Sequence, residues 1–414
     1  MKEMNDTKRW LGPIPKNWEY IPGKYVFHYR SEKGNDNPVL LAATQKNGMY
    51  PQDLLEGVVK VKVNTDLQQF QTVHKNDYVI SLRSFQGGFE MSDYEGVCSP
   101  AYQVFFNQKP IDHRYYKYLF KSTGFIQEMD SVTVGIREGK NIPYANFGKT
   151  FIPYPSLDEQ SRIAAFLDSH IAKIDDSIAR YKALSDKLDE YRKAVITKAV
   201  TEGINDTCFV KCDLGWVNVI PEKWGIALLS QLYYPVKCYN YGMIERNLLS
   251  LSYGKIKRKN IENAEGLVPD NYEGYNIIEK DDIVLRLTDL QNDQKSLRVG
   301  ISKEKGIVTS AYCSIRPIRD FNSTYYYYLL YAFDICKGFY GMGSGIRQGL
   351  NWNELKFMKV QIPSKPEQDE IAAYLDRKCS DIDNSKAKIE TVIKKLEEYK
   401  KSLIYNAVTG KIKC

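Results

Sequence analysis

No run in this 414-residue chain approaches the roughly 20 consecutive apolar residues that a helix needs to cross a bilayer. The opening segment, residues 1–15, carries Lys2, Glu3, Asp6, Lys8 and Arg9, so it holds no apolar signal core. Both absences lead to the expectation of a cytoplasmic protein with no membrane partner. Cysteine occurs eight times but never as Cys-x-x-Cys, and Cys208 and Cys212 lack a second Cys or His pair at ligand spacing. No metal site is expected, and the thiols are expected to stay reduced. Histidine is found only at His28, His74, His113 and His170, none near another, which leaves a His-centred site without support. Charge of one sign is lacking too: 58 Lys and Arg against 51 Asp and Glu give a net +7. That mild excess suits local basic patches for nucleic acid and an ordinary soluble surface equally.

What is present is an internal repeat. Residues 159–204 overlay 367–412 without a gap, and 21 of the 46 positions are identical, where composition alone would give about three. Glu159-Gln160 meets Glu367-Gln368, Ile163-Ala164-Ala165 meets Ile371-Ala372-Ala373, and Leu167-Asp168 meets Leu375-Asp376. Neither copy contains Gly or Pro between Ile163 and Val200 or between Ile371 and Val408, so each reads as one helix, roughly 60 Å long at 1.5 Å per residue. In the first copy Leu167, Ile171, Ile174, Ile178, Tyr181, Leu184, Leu188, Tyr191 and Val195 recur every 3.5 residues on average, the spacing of a coiled-coil seam. The second stripe is broken once, by Lys386 where the first has Ile178.

Ahead of the helices the halves agree only at anchors. Lys75-Asn-Asp-Tyr-Val79 matches Lys280-Asp-Asp-Ile-Val284, a turn entering a strand. The segment His113–Leu119 matches Ser323–Leu329, short helices expected to begin at Asp112 and Ser323. Gly135-Ile-Arg137-Glu-Gly139 matches Gly345-Ile-Arg347-Gln-Gly349, and Ile152-Pro153 matches Ile362-Pro363. Divergence is strongest at 28–74 and 233–279. The expected order is globular block 1–158, helix 159–204, globular block 205–366 and helix 367–414.

With Leu40-Leu-Ala-Ala-Thr-Gln-Lys-Asn-Gly48, Gly135-Ile-Arg-Glu-Gly139, Ile152-Pro-Tyr-Pro-Ser-Leu-Asp-Glu-Gln160 and the helix opening Ile163-Ala-Ala-Phe-Leu-Asp168, the chain resembles the DNA-specificity subunits of type I restriction-modification enzymes. The resemblance covers nearly the whole chain. It implies an α+β fold: two mixed α/β target recognition domains separated by two long helices that pair as an antiparallel coiled coil, with an internal pseudo-twofold. It also implies a non-catalytic subunit whose two domains read the halves of a bipartite asymmetric sequence in double-stranded DNA. The helices would dock two modification subunits that methylate adenine, with restriction subunits joining them. S-adenosylmethionine, ATP and Mg are then expected only on those partners, and no cofactor on this chain. Two alternatives stay open: a coiled-coil scaffold whose blocks bind proteins, and a methylation-only specificity subunit without a nuclease partner.

Motifs for chemistry are absent. Without any Pro-Pro dipeptide the chain lacks the Asp/Asn-Pro-Pro-Tyr/Phe cluster with which an adenine methyltransferase grips a flipped base. Gly341-Met-Gly-Ser-Gly345 continues with Ile346 where a dinucleotide fingerprint needs its third glycine, and Gly148-Lys149-Thr150 is preceded by Pro143 where a phosphate loop needs Gly. No catalytic residue is assigned.

DNA contacts are expected from basic and amide side chains. Tyr253-Gly-Lys-Ile-Lys-Arg-Lys259 places Lys255, Lys257, Arg258 and Lys259 beside a tyrosine, a candidate phosphate-binding loop or a solvated charged face. Gln45, Lys46 and Asn47 occupy the comparable stretch of the first half; amides there can read adenine edges, and a polar turn before Gly48 accounts for them as well. Arg137 and Arg347 lie between glycines, where backbone can approach a ligand and leave the guanidinium available. Arg83, Lys140 and Arg286 complete the candidate set. Tyr325–Tyr328 reads as core packing rather than base stacking, because at helical spacing few of the four share a face. At the helices, Ile163, Leu167, Ile174, Leu188 and Tyr191 of the first copy and Ile371, Leu375, Ile382, Leu396 and Tyr399 of the second are expected at the seam or partner surface. Glu159, Gln160, Glu367 and Gln368 sit at the helix starts, where acids suit the helix dipole and where the resemblance implies partner docking.

Overall fold

Two left-handed glycines mark where the long helices stop. Helix α4, Leu157–Glu202, ends as Gly203 (φ +74) turns its N–H onto the Ala199 carbonyl. Helix α8, Lys365–Val408, ends in a Schellman turn: Gly410 (φ +70) donates to Ala407 and Lys411 to Asn406. The second helix therefore stops at Val408 rather than running to 414. The computed structural model describes residues 10–34, 39–45, 47–55, 67–81, 88–132, 142–205, 207–260, 271–290, 293, 296–342 and 349–414. The chain divides into two units, residues 1–181 with 390–414, and residues 182–389. Each unit thus joins one globular block to one stretch of each long helix.

In the first unit, strands β1 (Glu19–Pro22), β2 (Phe27–Arg30), β3 (Leu41–Thr44), β4 (Gly48–Pro51), β5 (Gln71–Val73), β6 (Tyr78–Ile80), β7 (Phe89–Met91), β8 (Gly96–Cys98) and β9 (Gln103–Asn107) precede three short helices. These are α1 (His113–Lys121), α2 (Thr123–Ser131) and α3 (Tyr144–Lys149), and β10 (Phe151–Tyr154) then leads into α4. The main sheet is antiparallel in the order β2-β9-β6-β7, flanked by the pairs β1-β10, β3-β4 and β5-β8. Its inner face is aromatic: Phe27 meets Tyr116 of α1 at 5.1 Å and Tyr78 meets Phe120 at 5.2 Å, both edge-on.

The second unit repeats this plan. It contains β11 (Phe209–Lys211), β12 (Val219–Pro221), β13 (Gly225–Leu228), α5 (Leu229–Leu232), β14 (Tyr233–Pro235), β15 (Leu249–Ser252), β16 (Lys255–Arg258), β17 (Asn276–Ile278) and β18 (Ile283–Leu285). Then come β19 (Val299–Ile301), β20 (Gly306–Val308), β21 (Cys313–Pro317), α6 (Ser323–Ile335), α7 (Trp352–Leu355) and β22 (Lys359–Ile362). Its sheet runs β14-β21-β18-β19, with β13-β22, β15-β16 and β17-β20 in the flanking places, and β11-β12 form a further pair. Helix α1 is capped by Asp112, as expected, but α6 is capped by Asn322, whose side chain accepts from the Tyr325 N–H; Ser323 is already helical. Tyr325 and Tyr326 are wholly buried and Tyr328 nearly so, in agreement with core packing.

The turn before the third strand of each sheet is built the same way twice. Asn76 and Asp281 adopt left-handed backbone (φ 71° and 69°), and the buried Asp77 and Asp282 carboxylates accept the N–H groups of His74 and Glu279. Each carboxylate is neutralised by an arginine, from different strands. Arg316 on β21 meets Asp282 at 2.7 Å. In the first unit Phe106 holds that strand position, and Arg30 of β2 crosses its ring (4.5 Å) to reach Asp77 at 2.7 Å.

The helix stretches within each unit run antiparallel. In the first unit Ile163, Leu167, Ile171, Ile174 and Ile178 share a core with Leu403, Ile404, Ala407 and Val408, and Asp175 pairs with Lys400 at 2.7 Å. In the second, Ile196 and Val200 pack with Ile371 and Leu375, Ile382 is buried, and Arg192–Asp383 (2.7 Å) and Lys386–Asp189 (2.5 Å) bridge the helices. Lys386, the break in the apolar stripe, is thereby matched by a carboxylate. The seam departs from the expected line in its later turns. Leu188 and Leu396 are half-buried, and Tyr191 and Tyr399 are 50% and 55% exposed. A straight helix of 3.6 residues per turn drifts off a 3.5-residue line by about 20° per heptad.

One buried charge gives this fold a pH dependence. Glu90 on β7 is enclosed beneath α1 and paired with Lys121; burial pushes its carboxyl up to about 7 against the opposing pull of Lys121. Between its ordinary range and pH 7 the folded chain holds a proton that the unfolded chain has released, so stability falls as pH rises across that interval. Melting temperature measured from pH 5 to 7.5 should decline for the wild type. Glu90→Gln should flatten that decline, and an identical slope in both proteins would refute the assignment.

Candidate nucleic-acid interface

The most divergent part of the two blocks is carried on one backbone device. In the first unit β3-β4 is a hairpin, with Leu40 bridging Val97 and the Gln52 N–H donating to the Leu40 carbonyl at 2.8 Å. In the second, β15-β16 is its counterpart, with Leu248 bridging Ile307 and the Lys259 N–H donating to the Leu248 carbonyl at 2.8 Å. A glycine lies below each hairpin because backbone comes too close for a side chain: a Cβ on Gly96 would lie 2.1 Å from the Val39 carbonyl oxygen, and one on Gly306 2.6 Å from that of Asn247. In this register Tyr50-Pro51-Gln52 of the first unit are the equivalents of Lys257-Arg258-Lys259 of the second. The scaffold is shared and the chemistry is exchanged.

The basic segment of the second block is thus a hairpin strand, not a loop, and its turn is Tyr253-Gly254, both left-handed (φ 48° and 75°). Lys255, Lys257 and Lys259 alternate with Ile256 and Arg258. Lys255, at the turn, pairs with Asp383 of α8 at 3.4 Å, and Arg258 is held by Glu304. Lys257 and Lys259 are exposed and have no ion-pair partner among the described residues. In the first block, Gln45 and Asn47 stand exposed at the β3-β4 turn, where Thr44 Oγ1 accepts the Asn47 N–H at 3.0 Å and donates to Gly48 O at 2.9 Å. Gly48 (φ +68) packs so closely on Met91 that a Cβ would lie 2.4 Å from its carbonyl oxygen. Lys46, Arg83, Arg137, Lys140 and Arg347 lie outside the described residues.

Arg286 is half-buried, with its guanidinium 3.6 Å from Asp293. The loop that carries it is organised by a residue that sequence reasoning missed. Arg298 is fully buried and donates to the carbonyls of Arg286 (3.1 Å), Thr288 (2.8 Å), Asp289 (3.2 Å) and Asp293, and to the Tyr340 hydroxyl (3.2 Å). Asp334 accepts its backbone N–H at 2.7 Å, and burial raises that carboxyl. A charged residue directly before the apolar strand Val299–Ile301 was the available signal. Five N–H donors on one rigid plane let arginine hold several carbonyls together.

The residues at the helix starts join each helix to its own block. Gln160, fully buried, accepts the Asp112 N–H at 2.9 Å and donates to Pro155 O at 2.9 Å. Gln368 repeats this with the Asn322 N–H (3.0 Å) and Pro363 O (2.9 Å). Glu159 accepts from Asn17 at 3.4 Å, and Glu367 accepts from the Trp224 indole at 2.9 Å. Burial removes the two glutamines from any partner surface. Tyrosines complete the joint: Tyr115 and Tyr118 donate to Val408 O and Asp168, and Tyr325 and Tyr328 to Val200 O and Asp376.

The second unit also holds a cleft of about 780 Å³, lined by Tyr253, Lys255, Tyr327, Tyr331, Arg192 and Asp383 among others, with charges of both signs. Among the described residues no group of three or more His, Cys, Asp or Glu is placed to hold a metal ion. What the chain presents is one scaffold built twice, with its joints kept and the side chains on its matched hairpins changed. It belongs to the type I restriction modification DNA specificity domain family, whose model matches residues 15–183 and again 240–395.

Among its relatives, the EcoBI specificity subunit of a type I restriction enzyme from Escherichia coli is 21% identical over 311 residues, 70% of this chain and 64% of that protein. The chain therefore spans less than two thirds of that relative. The StySPI specificity subunit from Salmonella potsdam is 22% identical over 97% of this chain and 90% of its own length. Among solved structures, the HsdS subunit from Thermoanaerobacter tengcongensis superposes with a TM-score of 0.56 at 12% identity, covering 97% of this chain and 99% of that one. A chain from a structure addressing complex assembly and conformational transition of the type I R-M system reaches 0.68 at 13% identity, covering 97% and 100%. These likenesses establish the shared fold, two mixed blocks and two long helices.

The joint can be tested directly. Gln160→Leu strands the Asp112 N–H and the Pro155 carbonyl and should cost about 2–4 kcal/mol in urea unfolding. Gln368→Leu should do the same in the second unit, whereas Glu159→Gln should change stability by less than about 1 kcal/mol. Equal effects from Glu159 and Gln160 would refute the division of roles.

Proposed function

We propose that this chain is the DNA-reading, non-catalytic member of a type I restriction-modification assembly. Each block reads one half of a bipartite, asymmetric target in double-stranded DNA. The paired helices dock two modification subunits that methylate adenine, and restriction subunits join them. S-adenosylmethionine, ATP and Mg act on those subunits, and the assembly works in the cytoplasm. Family membership supports this reading, as do relatives that are themselves specificity subunits of type I restriction enzymes.

The observation that carries it is the exchange at the matched hairpins. Tyr50-Pro51-Gln52 in one block and Lys257-Arg258-Lys259 in the other sit on equivalent backbone. A duplicated reader whose backbone is held while the side chains on it change in kind and exposure is suited to two unlike half-sites. Mapping N6-methyladenine across the host genome should show a motif of two unlike blocks with a gap of constant length, lost when the gene is deleted. A methylation pattern unchanged by the deletion would refute the proposal.

A further inference from the structure

The loop between β14 and β15 exposes a cluster of large apolar side chains. Tyr239, Tyr241, Met243 and Ile244 are 43%, 70%, 46% and 79% exposed. The Tyr239 and Tyr241 rings lie 5.6 Å apart. The backbone beneath them is firmly framed. Asn240 is fully buried; its Nδ2 donates to Glu245 O at 2.9 Å and its Oδ1 accepts the Glu245 N–H at 3.0 Å. The Asn240 N–H donates to Tyr275 O at 2.9 Å, and the Gly242 N–H to Glu273 Oε1 at 2.8 Å. Gly242 and Met243 are both left-handed (φ 72° and 50°), a conformation that a methionine adopts only when its surroundings impose it. Buried polar bonds and local strain thus hold four apolar side chains in water, which marks an interaction surface.

The loop's neighbours identify the occupant. Arg246 lies two residues beyond it, after Glu245, and the Lys259 N–H to Leu248 O bond brings the open end of the β15-β16 hairpin, with Lys257 and Lys259, alongside. All three cations are exposed, and none has an ion-pair partner among the described residues. The nearby carboxylates of Glu245 and Glu273 accept backbone N–H groups. Lysine is depleted at protein–protein interfaces, whereas apolar side chains flanked by free cations suit a duplex, where the cations meet phosphates and the apolar tip enters a groove. The loop also falls within residues 233–279, where the two halves of the sequence diverge most.

We propose that the loop Tyr239–Ile244 is an apolar wedge of the second block. Tyr241 and Ile244 open a base step in its half-site, and Arg246, Lys257 and Lys259 hold the flanking phosphates. The inference rests on the DNA-reading function above and adds a mode of reading. Sequence is sensed through the ease of unstacking, which favours a flexible pyrimidine–purine step.

The full-length chain, its Tyr241→Ser/Ile244→Ser variant and its Lys257→Gln/Lys259→Gln variant can each be used to select from a randomised duplex library. DNA bending is then read by energy transfer between labelled duplex ends. The wild type should recover two sequence blocks and bend the duplex. The serine variant, altered only at exposed side chains and melting like the wild type, should keep its salt slope, lose one block and bend less. The glutamine variant should keep both blocks, bind about tenfold more weakly and show a salt slope shallower by about 2. If the serine variant recovers the same two blocks with the same bend, the wedge is overturned and the DNA-reading function stands; a protein partner would then cover the loop. If the wild type selects no sequence, both fall.

Discussion

The structure depends on a buried amide used twice. Gln160 and Gln368 each bind the N–H at the start of a short helix in the block and a proline carbonyl at the end of the last strand. A side chain with one acceptor and two donors can satisfy both backbone groups, and leaving either unmet in a dry core is costly. The hydroxyls of Tyr115 and Tyr325 tie each block to the far end of the other long helix, at Val408 O and Val200 O. A block fastened in this way moves with its helix. Its exposed surface can change without changing how the block is held.

The compensation around Asp77 and Asp282 shows how far such change can go. Both carboxylates are buried in the same left-handed turn and both require a cation. One receives it from Arg316 on β21. The other receives it from Arg30 on β2, reaching over the phenylalanine that took the arginine's place. The electrostatic demand is constant while its supplier moves between strands. At the matched hairpins no charge is buried, and Tyr50-Pro51-Gln52 and Lys257-Arg258-Lys259 share nothing but backbone: Pro51 and Gln52 are buried, whereas the three cations are exposed. Divergence is tightly constrained where a charge is buried and freest where it is exposed.

The repeat, the two long helices and their polar break at Lys386 were legible in the sequence because each rests on a local pattern: identity at a constant shift, a helix-length stretch without Gly or Pro, and one lysine in an apolar stripe. The fate of the basic cluster was not. Lys255, Lys257, Arg258 and Lys259 look alike as neighbours in a chain, but strand alternation and the hairpin turn send Lys255 to Asp383 and Arg258 to Glu304 and leave Lys257 and Lys259 exposed. Arg298 and the wedge loop were likewise invisible, because the carbonyls that bind the one and the buried Asn240 that frames the other matter only once distant segments meet. By itself the sequence determined that one scaffold was made twice, since periodicity and identity are properties of order along the chain. Which cations remain available and which apolar side chains stay in water were decided only by tertiary structure, since both depend on neighbours that the order of residues does not name.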